Sequence, residues 1–86
     1  MKESTIEALR EAAEEAGWDV DFRDEYAGRC MGGATTGAVV TDVGEFAALV
    51  GLAAANLASR GESAEDLVED VRGVRTDQMG RSTVFY

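Results

Sequence analysis

The strongest constraint on the fold is a change in the spacing of apolar residues along the chain. Ile6, Leu9 and Ala13 recur at three- and four-residue steps, which is the spacing of a helix face. From Trp18 to Phe22, apolar and charged residues then alternate, as in a strand with one buried face. The spacing therefore predicts a helix, capped by a Ser4–Glu7 box, followed by a strand that runs to about Tyr26.

Turn and capping signals predict the remaining elements. A glycine-rich connection over 28–37 leads to a short second strand over 38–41. Asp42 and Glu45 predict the start of a helix that ends near Ser59, and Ser63 predicts a third, shorter helix. A hairpin follows, with arms at 73–76 and 82–86 and a turn at 77–80. We expect an α+β fold in the order α-β-β-α-α-β-β, an antiparallel sheet of about four strands with helices on one face.

Length and composition restrict the chain to one small domain, residues 1–86. An apolar fraction of 45% predicts a folded chain despite a net charge of −9. The N-terminus lacks a signal-peptide pattern, and Gly51 and Asn56 interrupt the longest apolar stretch, so we expect no membrane association. Cys30 is the only cysteine, which fits a reducing compartment such as the cytoplasm.

The charge balance has two interpretations. The 17 acidic residues, against 8 basic ones, either keep the surface soluble or form an acidic face that docks on a basic protein. In both cases the negatively charged surface repels phosphates, so we expect no binding of DNA or RNA polymers.

The residues that usually carry catalysis are scarce. The chain has no histidine, so Cys30 has no base to activate it as a nucleophile. No carboxylate pair stands out among the acids. We therefore predict a protein that is not an enzyme and that has no cofactor and no metal site.

Two segments are candidates for a binding site. In the glycine-rich connection, backbone N–H groups, the Arg29 guanidinium and the hydroxyls of Thr35 and Thr36 are able to hold an anion. The alternative is a flexible connection. The second segment is Asp77–Arg81, where arginines 72, 75 and 81 gather in an otherwise acidic chain. Its alternative is a plain hairpin turn.

Small residues form a stripe on each of the two longer helices. The stripes consist of residues 8, 12 and 16 on the first helix and residues 44, 48, 51, 55 and 58 on the central one. They either pack against each other or meet a second copy of the chain. Because so small a core benefits from a partner, we expect a homo-oligomer.

Two sequence blocks resemble small phage and prophage proteins. Tyr26–Met31 is similar to a Tyr-Ser-Gly-Arg-Gly-Met block, with Cys30 in place of glycine, and Asp77–Tyr86 is similar to an Asp-x-Met-Gly block followed by an aromatic strand. Among such proteins are the anti-Thoeris sponges, viral anti-defence proteins that sequester cyclic ADP-ribose-type immune signals. The resemblance implies a nucleotide site that contains Arg29, Met31, Asp77, Met79 and Arg81.

The sequence thus supports two functions. The first is a non-catalytic viral binding protein that sequesters a small anionic nucleotide-like signal in the cytoplasm of a host cell. Its predicted ligand-binding residues are Tyr26, Arg29, Met31, Thr35, Asp77, Met79 and Arg81. The alternative is an acidic inhibitor or adaptor that docks on a basic host protein through Glu7, Glu11, Glu14 and Glu15.

Overall fold

The computed structural model describes residues 1–26 and 36–86, without the side chains of residues 25, 26 and 36. Its elements are α1 (Glu3–Ala16), β1 (Asp21–Tyr26), β2 (Thr36–Thr41), α2 (Val43–Ser59), α3 (Glu65–Arg72), β3 (Thr76–Met79) and β4 (Ser82–Phe85). The predicted α+β class and the order α-β-β-α-α-β-β are confirmed. None of the helices in the described part of the chain is long and apolar enough to cross a membrane.

The four strands form one antiparallel sheet in the order β1-β2-β4-β3. The centre of the sheet therefore joins β2 to β4, where Val39 pairs with Phe85 and Val40 with Val84. β1 and β3 lie at the two edges. Because paired residues share a face and neighbours along a strand alternate, this register determines which side chains meet on each side of the sheet.

The main core lies between the helices and one face of the sheet. Leu9, Val39 and Leu49 are fully buried there, and the rings of Phe46 and Phe85 stack with centroids 4.0 Å apart. Gly37 of β2 lies directly beneath α1, where an added Cβ would lie 2.6 Å from Ile6 Cγ1. Glycine is therefore required at this position to let α1 approach β2.

The start of α1 differs from the prediction. The helix begins at Glu3, one residue before Ser4, so the proposed Ser4–Glu7 capping box is wrong. No side chain of α1 caps this end. Instead the Asp70 carboxylate of α3 accepts a hydrogen bond from the Lys2 backbone N–H at 2.8 Å and another from Thr5. A carboxylate at a helix N-terminus satisfies free N–H groups and favours the helix dipole, so Asp70 ties α3 to α1.

The boundaries of β1 and of the hairpin also differ from the prediction. β1 begins at Asp21, and Trp18 precedes it with 36% of its surface exposed. The hairpin turn is shorter than predicted, because Met79 pairs directly with Ser82 and only Gly80 and Arg81 lie between them. Gly80 adopts a φ of +61°, which permits so tight a turn. Asp77 and Met79 are consequently strand residues.

α2 begins as predicted, with the Asp42 carboxylate accepting a hydrogen bond from Glu45 N at 2.7 Å. Its small-residue stripe, however, does not pack on α1. Leu49 and Ala53 face the core instead, and the five stripe residues at 44, 48, 51, 55 and 58 are all exposed. The core face takes the bulky residues of α2 because they bury more apolar surface.

Candidate functional site

The side of the sheet that faces away from the helices, here called the distal face, has a different composition. It carries Asp21, Arg23, Ala38, Val40, Arg75, Asp77, Met79, Val84 and Tyr86, according to the strand register and alternation. Ala38 and Val84 are fully buried at its centre, and Tyr86 is 7% exposed. Charged and polar side chains therefore border an apolar centre.

Arg23 reaches across the distal face from one edge strand toward the other. Its Nη2 atom lies 3.7 Å from the sulfur of Met79 on β3 and 3.6 Å from an Asp21 carboxylate oxygen. The edge strands are three strand spacings apart, about 14 Å, so the two side chains must extend toward each other above β2 and β4. Arg23 and Met79 stay 42% and 39% exposed, which leaves both open to a ligand.

Two further arginines lie beside this contact. Arg75 exchanges two backbone hydrogen bonds with Tyr86, both of 2.9 Å, and Arg81 follows Gly80 in the turn between β3 and β4. Neither guanidinium has a hydrogen bond or ion pair with any residue that the structure describes. The described charged side chains on the face itself are thus Arg23 and Arg75 against Asp21 and Asp77, and Arg81 adds a positive charge in the turn at its end, in a chain whose net charge is −9.

The arginines of the helices are instead bound to carboxylates. Arg10 contacts Asp24 at 2.7 Å, Arg60 contacts Glu11 at 2.7 Å, and Arg72 contacts Glu69 at 3.4 Å. The hydrogen bond and charge of Arg60 lower the pKa of the Glu11 carboxyl below its usual value, and Glu11 raises the pKa of Arg60 in return. Arg72 therefore does not belong with Arg75 and Arg81, contrary to the predicted cluster of three.

The structure brings together part of the predicted site. Asp77 and Met79 share the distal face and Arg81 lies at its end, but Asp77 and Met79 are on a strand and not in a loop. Tyr26 ends β1, with a side chain that the structure does not describe. Three predicted residues, Arg29, Met31 and Thr35, lie outside the described residues.

Sequence reasoning missed Arg23. The alternation around Phe22 places Arg23 on the polar side of β1, but the alternation by itself assigns no role to that side chain. The alternation does not reveal the strand order. That order puts β1 and β3 at opposite edges of the sheet, so that Arg23 and Met79 share the distal face and come into contact.

Within residues 1–26 and 36–86, no group of three or more histidine, cysteine or acidic side chains is arranged to hold a metal ion. No family model, curated protein or solved structure significantly matches this chain. The chemistry of the distal face is accordingly the basis on which a function is assigned.

Proposed function

We propose that the distal face binds a small anionic nucleotide-like ligand and holds it without altering it. The observation that carries this proposal is the state of the arginines. Those on the helices are bound to carboxylates, whereas Arg75 and Arg81 have no side-chain partner among the described residues. Arg23 lies 3.6 Å from an Asp21 carboxylate oxygen and 3.7 Å from the Met79 sulfur. An acidic protein attracts an anion only where arginines offset its acids locally, and the unbound guanidiniums of Arg75 and Arg81 support such a place here.

The side chains suit the two halves of a nucleotide. A guanidinium grips two phosphate oxygens at once through its planar fork. The Met79 thioether, 39% exposed beside Arg23, supplies a polarisable surface for a base. In a chain without histidine, the expected outcome is sequestration, as in the anti-Thoeris sponges that the sequence resembles, and the protein would act in the cytoplasm of a host cell.

Calorimetry with cyclic ADP-ribose and with ADP tests the proposal. We expect Arg23→Gln, Arg75→Gln and Arg81→Gln each to weaken binding about tenfold to a hundredfold, as removal of a charged hydrogen bond of about 1.5–3 kcal/mol would. Arg72→Gln is the matched control, because it removes the same charge from a helix. Chromatography of the denatured complex should recover the ligand intact.

Two results would contradict this assignment. If the wild type binds neither probe, the distal face is not a nucleotide site. If Arg72→Gln weakens binding as much as the other three substitutions, the overall charge and not the face attracts the ligand.

The proposal includes self-association. The exposed stripe on α2 carries no charge, and beside it Val43 is 66% exposed and Leu52 37% exposed. At Gly51 an added Cβ would have no neighbour within 4 Å among the described residues, so Gly51→Glu should leave the monomer folded. We expect light scattering to show at least a dimer for the wild type and a smaller species for Gly51→Glu. A wild-type monomer would refute this part of the proposal.

The alternative function, docking of an acidic α1 surface on a basic protein, has weaker support. Of its four acids, Glu11 is bound to Arg60 at 2.7 Å and Glu15 lies 3.7 Å from the same guanidinium. Two of the four carboxylates therefore share one guanidinium, which offsets one of their four negative charges within the chain.

A further inference from the structure

An open groove of about 660 Å³ lies at the β1 edge of the sheet. It runs between the last turns of α1 and the beginning of β1. Its lining includes Arg10, Glu14, Trp18, Asp19, Asp21 and Phe22. The only tryptophan of the chain thus lies in a groove that the proposed function does not use.

Trp18 is held by a fixed backbone motif. Gly17 is left-handed, with a φ of +73°, and donates to Glu14 O at 3.2 Å, while Trp18 N donates to Ala13 O at 2.9 Å. These two bonds form a Schellman motif, which ends α1 and holds Trp18 in place. An indole that is 36% exposed at a rigid position offers a partner a large contact surface at a low entropic cost.

The charges around the indole determine what the groove can accept. Arg10 is occupied, because it contacts Asp24 at 2.7 Å and lies 5.5 Å above the Phe22 ring. Glu14 and Asp19 have no ion pair among the residues that the structure describes. The last turn of α1 carries no basic residue either, so the negative end of the helix dipole adds to these carboxylates.

We propose that this groove binds an arginine side chain presented by a partner protein. The planar guanidinium stacks on the Trp18 indole and directs its N–H groups to Glu14 and Asp19. Arginine suits the site better than lysine because its planar guanidinium stacks flat on the ring while its edge forks two N–H groups to a carboxylate, which a lysine ammonium cannot do. The negative charge of the groove matches a basic segment and disfavours the anionic ligand of the distal face, with which the groove shares Asp21.

The experiment is a titration with a blocked tri-arginine peptide, followed by tryptophan fluorescence. Because Trp18 is the only tryptophan, the whole indole signal comes from the groove. We expect a saturable change in emission for the wild type. The double variant Glu14→Gln/Asp19→Asn should bind at least tenfold more weakly, and thermal melts should show that it folds.

A matched double variant separates local contact from overall charge. Glu62→Gln/Glu65→Gln removes the same charge from exposed positions outside the groove and should bind the peptide within twofold of the wild type. The proposal is overturned if the wild type shows no saturable change. It is also overturned if the matched variant loses as much affinity as the groove variant, or if a blocked tri-lysine peptide binds as tightly as tri-arginine.

Discussion

The two faces of the sheet are built from the same four strands but are completed in different ways. On the helix side, Phe85 stacks on Phe46 at 4.0 Å and belongs to a cluster of buried apolar side chains that includes residues of α1, α2 and α3. On the distal side, Ala38 and Val84 form a small apolar centre bordered by charged residues and by Met79.

The two sides therefore differ in how much they stabilise the fold. Apolar burial and close packing make the helix side the main source of folding free energy. The distal side contributes less apolar area and keeps its arginines accessible. We infer that substitutions on the helix side change mainly the free energy of unfolding, while those at the border of the distal face change mainly ligand affinity.

Adjacent residues of β4 give the largest test of this comparison. Phe85 and Val84 follow each other in the chain but face opposite sides of the sheet. We expect Phe85→Ala to lower the free energy of unfolding by about 3–5 kcal/mol, through lost stacking and a cavity. Val84→Ala should cost about 1–2 kcal/mol, since it removes less buried surface. Urea denaturation measures both, and equal costs would show that the two faces stabilise the fold alike.

Gly37 gives a test of intermediate size. Its added Cβ would overlap the Ile6 side chain at 2.6 Å, so Gly37→Ala should lower the free energy of unfolding by about 1–3 kcal/mol. Arg23→Ala, from the distal face, should change the same quantity by no more than about 0.5 kcal/mol. If Gly37→Ala proves neutral in thermal melts, α1 and β2 are not as closely packed as their geometry indicates.

Substitution of Asp70 tests a smaller contribution to the free energy of unfolding, and one that depends on pH. Burial by itself raises the pKa of the Asp70 carboxyl. The hydrogen bonds from Thr5 and Lys2 and the nearby positive charges lower it by more, so the pKa of Asp70 lies below its usual value. The stabilisation by Asp70 is therefore complete above about pH 4, which is the pKa of an aspartate in an unfolded chain. It is lost as the pH falls through the lower pKa that Asp70 has in the folded protein. Asp70→Ala should cost about 0.5–2 kcal/mol at pH 7 and less at pH 3. A cost independent of pH would rule out the carboxylate as its source.

Local patterns predicted the fold well because they depend on neighbours in the chain. The spacing from Ile6 to Ala13 and the Asp42 cap predicted α1 and α2, and the class and order of elements followed from such signals. The capping box at Ser4 failed for a physical reason. The cap comes from Asp70, which is close to α1 only after α3 has packed.

The candidate site was less predictable because it depends on strand order. Nothing near Arg23 in the sequence indicates that Met79 lies within 3.7 Å of it. Likewise, the stripe around Gly51 has the same helical spacing whether it faces α1 or solvent, and only packing decides which. Arg81 and Met79 were found because glycine and charge mark a turn locally.

The position of β4 in the sheet has a consequence for how the chain folds. β4 lies between β2 and β3, and its pairing of Thr83 with Thr41 joins residues separated by nearly half of the chain. The β3–β4 hairpin can form early, since its loop is short, but the central pairing must close a long loop first. We therefore expect a folding barrier dominated by docking of this hairpin onto β2, which places the pairing of β2 with β4 among the last parts of the sheet to be completed.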